Sequence, residues 1–198
     1  CDLDGKVRYD KRITNINLPA NHAIKLAAIP RLANLSSAYF VELVLATAGD
    51  RQVSRNVYWL STHPDQLDWA HSTGYVTPVS SYADLTALAN LHGANVEVRA
   101  STRNDGVDDV TRVVLTNAPQ SGHVAFFQHL SLRRDKDGTP ILPVAWSDND
   151  VTLWPGESAT LVASYSAKTL GKAIPVVHLK AWNTAASVIP APIEGAQP

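Results

Sequence analysis

Apolar residues recur along the chain in short runs about ten residues apart, with turn formers between them. That rhythm belongs to a β-sandwich or barrel. In the first half, Asp4-Gly5 reads as a hairpin-type turn and Ala23-Ile24-Lys25-Leu26 as a strand. Tyr39 to Leu45 and Val53 to Leu60 flank Gly49-Asp50 and read as an antiparallel hairpin. In the second half, Val96 to Ala100 alternates, and Val110 to Thr116 is β-branched and apolar enough for a central strand. Val124 to Leu132, Ile141 to Trp146, Ser158 to Tyr165 and Val176 to Trp182 continue the series, with turns at Asp137-Gly138 and Pro155-Gly156.

The fold class is therefore all-β, as two sandwiches in tandem. The second half carries about six or seven strands, one full sandwich. The first shows only about four, so its sandwich reads as truncated at the N-terminal side. Turn formers between His63 and Ser81, and a short helix capped by Ser81 over Tyr82 to Leu88, place a linker near residues 63–94. The expected domains are residues 1–92, an incomplete sandwich with that linker, and residues 93–198, a complete one with an extended tail. Ile189-Pro190-Ala191-Pro192 cannot enter a central strand, because proline lacks the ladder donor.

Composition narrows the function classes. The chain has 198 residues, is 45% hydrophobic and carries a net charge of −1. Its Lys and Arg are scattered, which leaves no electrostatic footprint for nucleic acid. No apolar run approaches the roughly 20 residues of a membrane-spanning helix. The single cysteine, Cys1, excludes a disulfide within the chain and a Cys-built zinc site. A chain that begins with Cys1 and has no methionine reads as a fragment or processed chain.

Chemistry-bearing patterns are sparse. Retaining glycoside hydrolysis needs two carboxyl groups about 5 Å apart. The four glutamates are Glu42 on a strand, Glu97 on an alternating run, Glu157 after a Pro-Gly turn and Glu194 in the tail, and each setting suits a surface or turn role. The aspartates fall largely in turns, where a short acceptor closes an Asx-turn. Asp148 and Asp150 are the weak candidates for a calcium site, against a plain turn. Seven histidines form no close metal-ligand pair, and no nucleophile elbow or phosphate loop is present. Among five tryptophans, Trp59, Trp146 and Trp182 lie in or beside strand runs and are expected in the core. Trp69 and Trp154, in loop or turn settings, are the candidates for sugar contact, because a pyranose C–H face packs on an exposed ring. Packing is the competing role for both.

The run Asn56-Val57-Tyr58-Trp59-Leu60-Ser61-Thr62, continued by Leu67-Asp68-Trp69, Thr77-Pro78 and Tyr82-Ala83-Asp84-Leu85-Thr86, closely resembles an immunoglobulin-like domain of exo-β-D-glucosaminidases of glycoside hydrolase family 2. Ala125-Phe126-Phe127, Leu142 to Asn149 and Leu153-Trp154-Pro155-Gly156-Glu157-Ser158 resemble the last immunoglobulin-like domain of the same enzymes. At Asp150 those relatives tend to carry an aromatic. The resemblance implies a non-catalytic accessory region of a secreted, extracellular glycosidase that releases terminal glucosamine from chitosan oligomers. The catalytic glutamates of that family sit on a preceding (β/α)₈ barrel, so none transfers to this chain, and no cofactor is implied. The implied partners are that barrel and the other domains of the parent, and chitosan oligosaccharide. Two alternatives remain: the same region of a β-mannosidase or endo-β-mannosidase, and a stand-alone carbohydrate-binding or adhesion module. The Asn56 to Ser61 run favours glucosaminidase over mannosidase, and the strand shortage argues against a stand-alone module.

Overall fold

A computed structural model describes residues 1–135 and 137–194 and resolves into two compact units, Cys1–Asn90 and Leu91–Pro198. The first is organised by one long hairpin. Strands β1 (Ala38–Ala46) and β2 (Gln52–Ser61) pair antiparallel, from Ala38 opposite Ser61 to Ala46 opposite Gln52. Asp50, at φ 58°, takes the left-handed conformation that the reversal requires and that Asp tolerates better than most residues. The expected hairpin is present.

Around its Ala38 end, the Cys1 ammonium donates to the Phe40 carbonyl at 2.9 Å, Asp2 bridges to Tyr39, and Ala38, Phe40 and Leu88 are buried. The expected strand at 23–26 is absent. Ile24 and Leu26 are exposed, and Asn15, Asn21 and Asn34 all adopt positive φ, so the chain turns repeatedly and presents no extended partner for a strand. Further on, β3 (Gln66–Leu67) pairs with β4 (Val79–Ser81). Ser81 thus ends a strand and caps no helix. The helical turn starts later, as a 3-10 turn at Thr86–Asn90, and it is Asp84 whose carboxylate accepts from the Thr86 amide at 3.0 Å.

The second unit is a sandwich of two four-stranded antiparallel sheets. Its strands are β5 (Val96–Asn104), β6 (Asp108–Asn117), β7 (Ala125–Arg134), β8 (Ala145–Trp146), β9 (Val151–Leu153), β10 (Ser158–Ser166), β11 (Pro175–Lys180) and β12 (Ser187–Pro190). One sheet runs β5-β6-β10-β8 and the other β12-β11-β7-β9. Alternation does the sorting: Val113 and Leu115 of β6, Leu161 of β10, Leu130 of β7 and Leu179 of β11 point inward and are almost fully buried.

Three expectations need adjustment here. The run 141–146 forms only the two-residue strand β8, because Pro140 and Pro143 remove donors at its start. Strand β9 was not anticipated. The tail, expected as an arm, is an edge strand stitched to both sheets: β12 pairs with β11, the Thr102 amide donates to Pro192, and Glu194 donates back to Thr102 at 2.7 Å. Pro190 is accommodated because the strand lies at the sheet edge.

Candidate functional site

The carboxylates come first, since they decide whether a hydrolytic pair exists. Glu42 of β1 is ion-paired with Arg55 on the neighbouring strand. Glu97 and Ser158 both pair with Thr116, which sets Glu97 two strands, about 10 Å, from the start of β10 where Glu157 precedes Ser158. Glu157 is committed to its turn, where Oε2 accepts from the Trp154 amide at 2.9 Å. Glu194 lies beside Thr102, five residues along β5 from Glu97, about 16 Å away. The three glutamates of the second unit are thus spaced well beyond the roughly 5 Å of a retaining pair.

Trp69 is presented by a cross-braced loop. It opens a one-turn 3-10 helix, Trp69–His71, whose cap Asp68 accepts from the His71 amide and faces its ring Nδ1 at 2.7 Å. The Asp68 amide in turn donates to Pro78, and Ser72 meets Thr77 hydroxyl to hydroxyl at 2.7 Å. Trp69 is 71% exposed on this brace, with Tyr75 and Tyr82 on the same segment fully and largely exposed. A large ring held out by an ordered loop can contact a ligand at little conformational cost.

Trp154 is placed differently. It begins the Trp154-Pro155-Gly156-Glu157 turn, closed by the Glu157 amide on the Trp154 carbonyl at 3.0 Å, with Gly156 at φ 84°. Gly156 also donates to the buried Asn117 carbonyl, and the ring is half-buried. Proline at the second and glycine at the third position are what a type II turn demands.

Asp148 and Asp150 occupy a tight turn. Asp148 accepts from the Asn149 amide, Asp150 faces His129 Nδ1 at 2.8 Å, and Asn149 is held by both backbone groups of Leu130. Among the described residues, no group of three His, Cys, Asp or Glu side chains is gathered as a metal shell would need.

Trp59 departs from expectation, being 38% exposed on β2, and so does Trp182. It follows β11 and is 57% exposed, against a predicted place in the core. The signal was in the alternation: Val177 and Leu179 are buried, so His178, Lys180 and Trp182 fall on the outer face.

Comparison with known proteins agrees with this architecture. The family model described as the exo-beta-D-glucosaminidase Ig-fold domain matches residues 74–184. The exo-beta-D-glucosaminidase of Streptomyces avermitilis is 42% identical over 194 residues, covering 96% of this chain and 21% of the relative. That of Amycolatopsis orientalis is 37% identical over 198 residues, covering all of this chain and 19% of the relative. The crystal structure of the Amycolatopsis orientalis exo-chitosanase CsxA superposes with a TM-score of 0.91 at 37% identity, over 96% of this chain and 23% of that one. The chain spans about a fifth of the length of the curated relatives it matches.

Proposed function

Because this chain belongs to the family of exo-β-D-glucosaminidase Ig-fold domains, we propose that it is the non-catalytic accessory region of a secreted glycoside hydrolase that removes terminal glucosamine from chitosan oligomers. In this reading the reacting carboxylates sit on a (β/α)₈ barrel outside these residues, and the two units pack on it and on the other domains of the parent. The observation that carries the proposal is the coincidence of the family match over residues 74–184 with glutamates of which Glu42 and Glu157 are engaged in local structure and those of the second unit are spaced too far apart for a retaining pair.

Trp69 is the residue through which the region touches substrate, at a wall of the cleft. A ring there strengthens ground state and transition state binding alike, so it acts on affinity and leaves the chemical step alone. Trp154 is the second contact, weaker because its ring is half-buried. In the full-length enzyme, Trp69→Ala should raise KM for chitosan oligomers several-fold with kcat unchanged. An unchanged KM would remove Trp69 from the cleft.

A further inference from the structure

The outer face of the second sheet carries a feature that the accessory role does not use. Lys180 of β11 stands directly opposite His129 of β7 in the antiparallel ladder. Two residues after Lys180 and two before His129, on the same face, come Trp182 and Phe127. These four residues and Ala181 line one shallow concavity of about 280 Å³.

Two details show that the concavity is built. Phe127 sits at φ 55°, a conformation rare for a bulky side chain, at the irregularity where β7 slips register between Ala125 and Gln128. Backbone strain of this kind persists where surrounding structure enforces it. Trp182 is fixed from beneath. Its amide donates to the Phe126 carbonyl at 3.2 Å, and the buried Phe126 ring meets it edge-on, with centroids 5.9 Å apart at 62°. The neighbouring Asn183 side chain accepts from the Phe126 amide at 2.9 Å and donates to Val124 and His92 carbonyls. The indole is therefore exposed yet held in one orientation.

At the rim, Asp150 anchors His129 through Nδ1, which directs the other ring nitrogen away from that contact. Lys180 supplies a donor and Asp150 an acceptor. A flat apolar floor with donors and acceptors of both signs around it suits a ring that has an apolar C–H face and equatorial hydroxyls. We infer that Trp182, Phe127, His129 and Lys180 form a binding site for a neutral pyranose unit of a β-linked glycan. Of the two charged side chains only Lys180 lines the concavity, while Asp150 is turned onto His129, so the site is biased against a cationic amino sugar and its preferred ligand differs from the proposed substrate of the parent. The inference stands whether or not that parent acts on chitosan.

The test uses the 198-residue chain with cellotetraose as the neutral probe and the fully deacetylated chitosan tetramer as the cationic one, followed by saturation-transfer NMR and tryptophan fluorescence. Cellotetraose should bind with a millimolar dissociation constant, more tightly than the cationic tetramer. Trp182→Ala should weaken it about tenfold, while Val107→Ala, at an exposed position in the turn between β5 and β6, leaves it unchanged. Lys180→Ala, at an exposed position where folding is not at stake, should weaken cellotetraose and narrow the gap to the cationic probe. No binding up to tens of millimolar, or binding that survives both Trp182→Ala and Lys180→Ala, would overturn the site.

Discussion

The phenol of Tyr165 on β10 meets the Thr111 hydroxyl on β6 at 2.7 Å, and the contact has a direction. Thr111 meets Thr102 at 2.8 Å, and Thr102 donates to the Ala191 carbonyl at 2.9 Å. Each hydroxyl has one proton to give. Thr102 spends its proton on Ala191, so Thr111 must donate to Thr102 and Tyr165 to Thr111. The chain of three hydroxyls runs one way from β10 to the tail and ties β12's extension to the opposite sheet. Burial pushes the Tyr165 phenol above its usual pKa, which keeps it a donor across the working range.

Tyr165→Phe removes only the first donor and should cost about 1 kcal/mol. Thr111→Val strands the Tyr165 hydroxyl without its acceptor and deprives Thr102 of its donor, so it should cost about 2–3 kcal/mol. Urea unfolding of the two variants should show that ordering. Equal losses would mean the hydroxyls do not act as a relay.

Asp2 should give the first unit a distinct acid sensitivity. Burial pushes its carboxyl up, but the Lys6 amide at 2.9 Å and the Arg8 guanidinium at 2.7 Å outweigh that and hold it below the ordinary 3.8. A depressed folded value means the contribution is complete above the unfolded value and lost as pH falls through the folded one. Thermal unfolding of the chain between pH 6 and pH 2.5 should therefore show a loss below about pH 4 that Asp2→Asn lacks, the variant being less stable at pH 6.

Gly156 separates backbone strain from packing. A Cβ there would meet Pro119 at 3.8 Å, an ordinary contact, yet φ is 84°. Gly156→Ala should then cost about 1–2 kcal/mol for conformation alone. Calorimetry of the second unit's transition checks it, and a neutral result would mean the turn relaxes.

Leu161 is 1% exposed in the middle of β10, among Val113, Leu130 and Leu179 of the same cluster. Leu161→Ala should cost about 3–5 kcal/mol, through lost transfer energy plus the cavity left behind. Denaturant unfolding would expose a smaller loss if the sandwich collapses onto the gap.

Much of this was legible in the sequence, for identifiable reasons. The hairpin at 38–61 could be read because alternating apolar runs and Gly49-Asp50 point to the same register. The sandwich strands of the second half were visible through period-two burial, as in Val113 and Leu115 or Leu130 and Leu132. Ala23 to Leu26 misled because local preference does not make a strand without a partner. The tail misled because Pro190 excludes only a central position and says nothing of an edge. Trp182 is expected inside because a tryptophan near a strand is usually core, although the outward set by His178 and Lys180 fixes its face. What no pattern could supply was the bulge that turns Phe127 beside Trp182.

The central claim is that this chain serves a glycosidase without holding its reacting groups. The direct measurement is glucosamine release from chitosan oligomers by the purified 198-residue chain, run beside the intact source protein that contains it. The account predicts release by the intact protein and none above background by the chain. Release by the chain alone would contradict it and would require a carboxylate pair among residues assigned here to turns and strands.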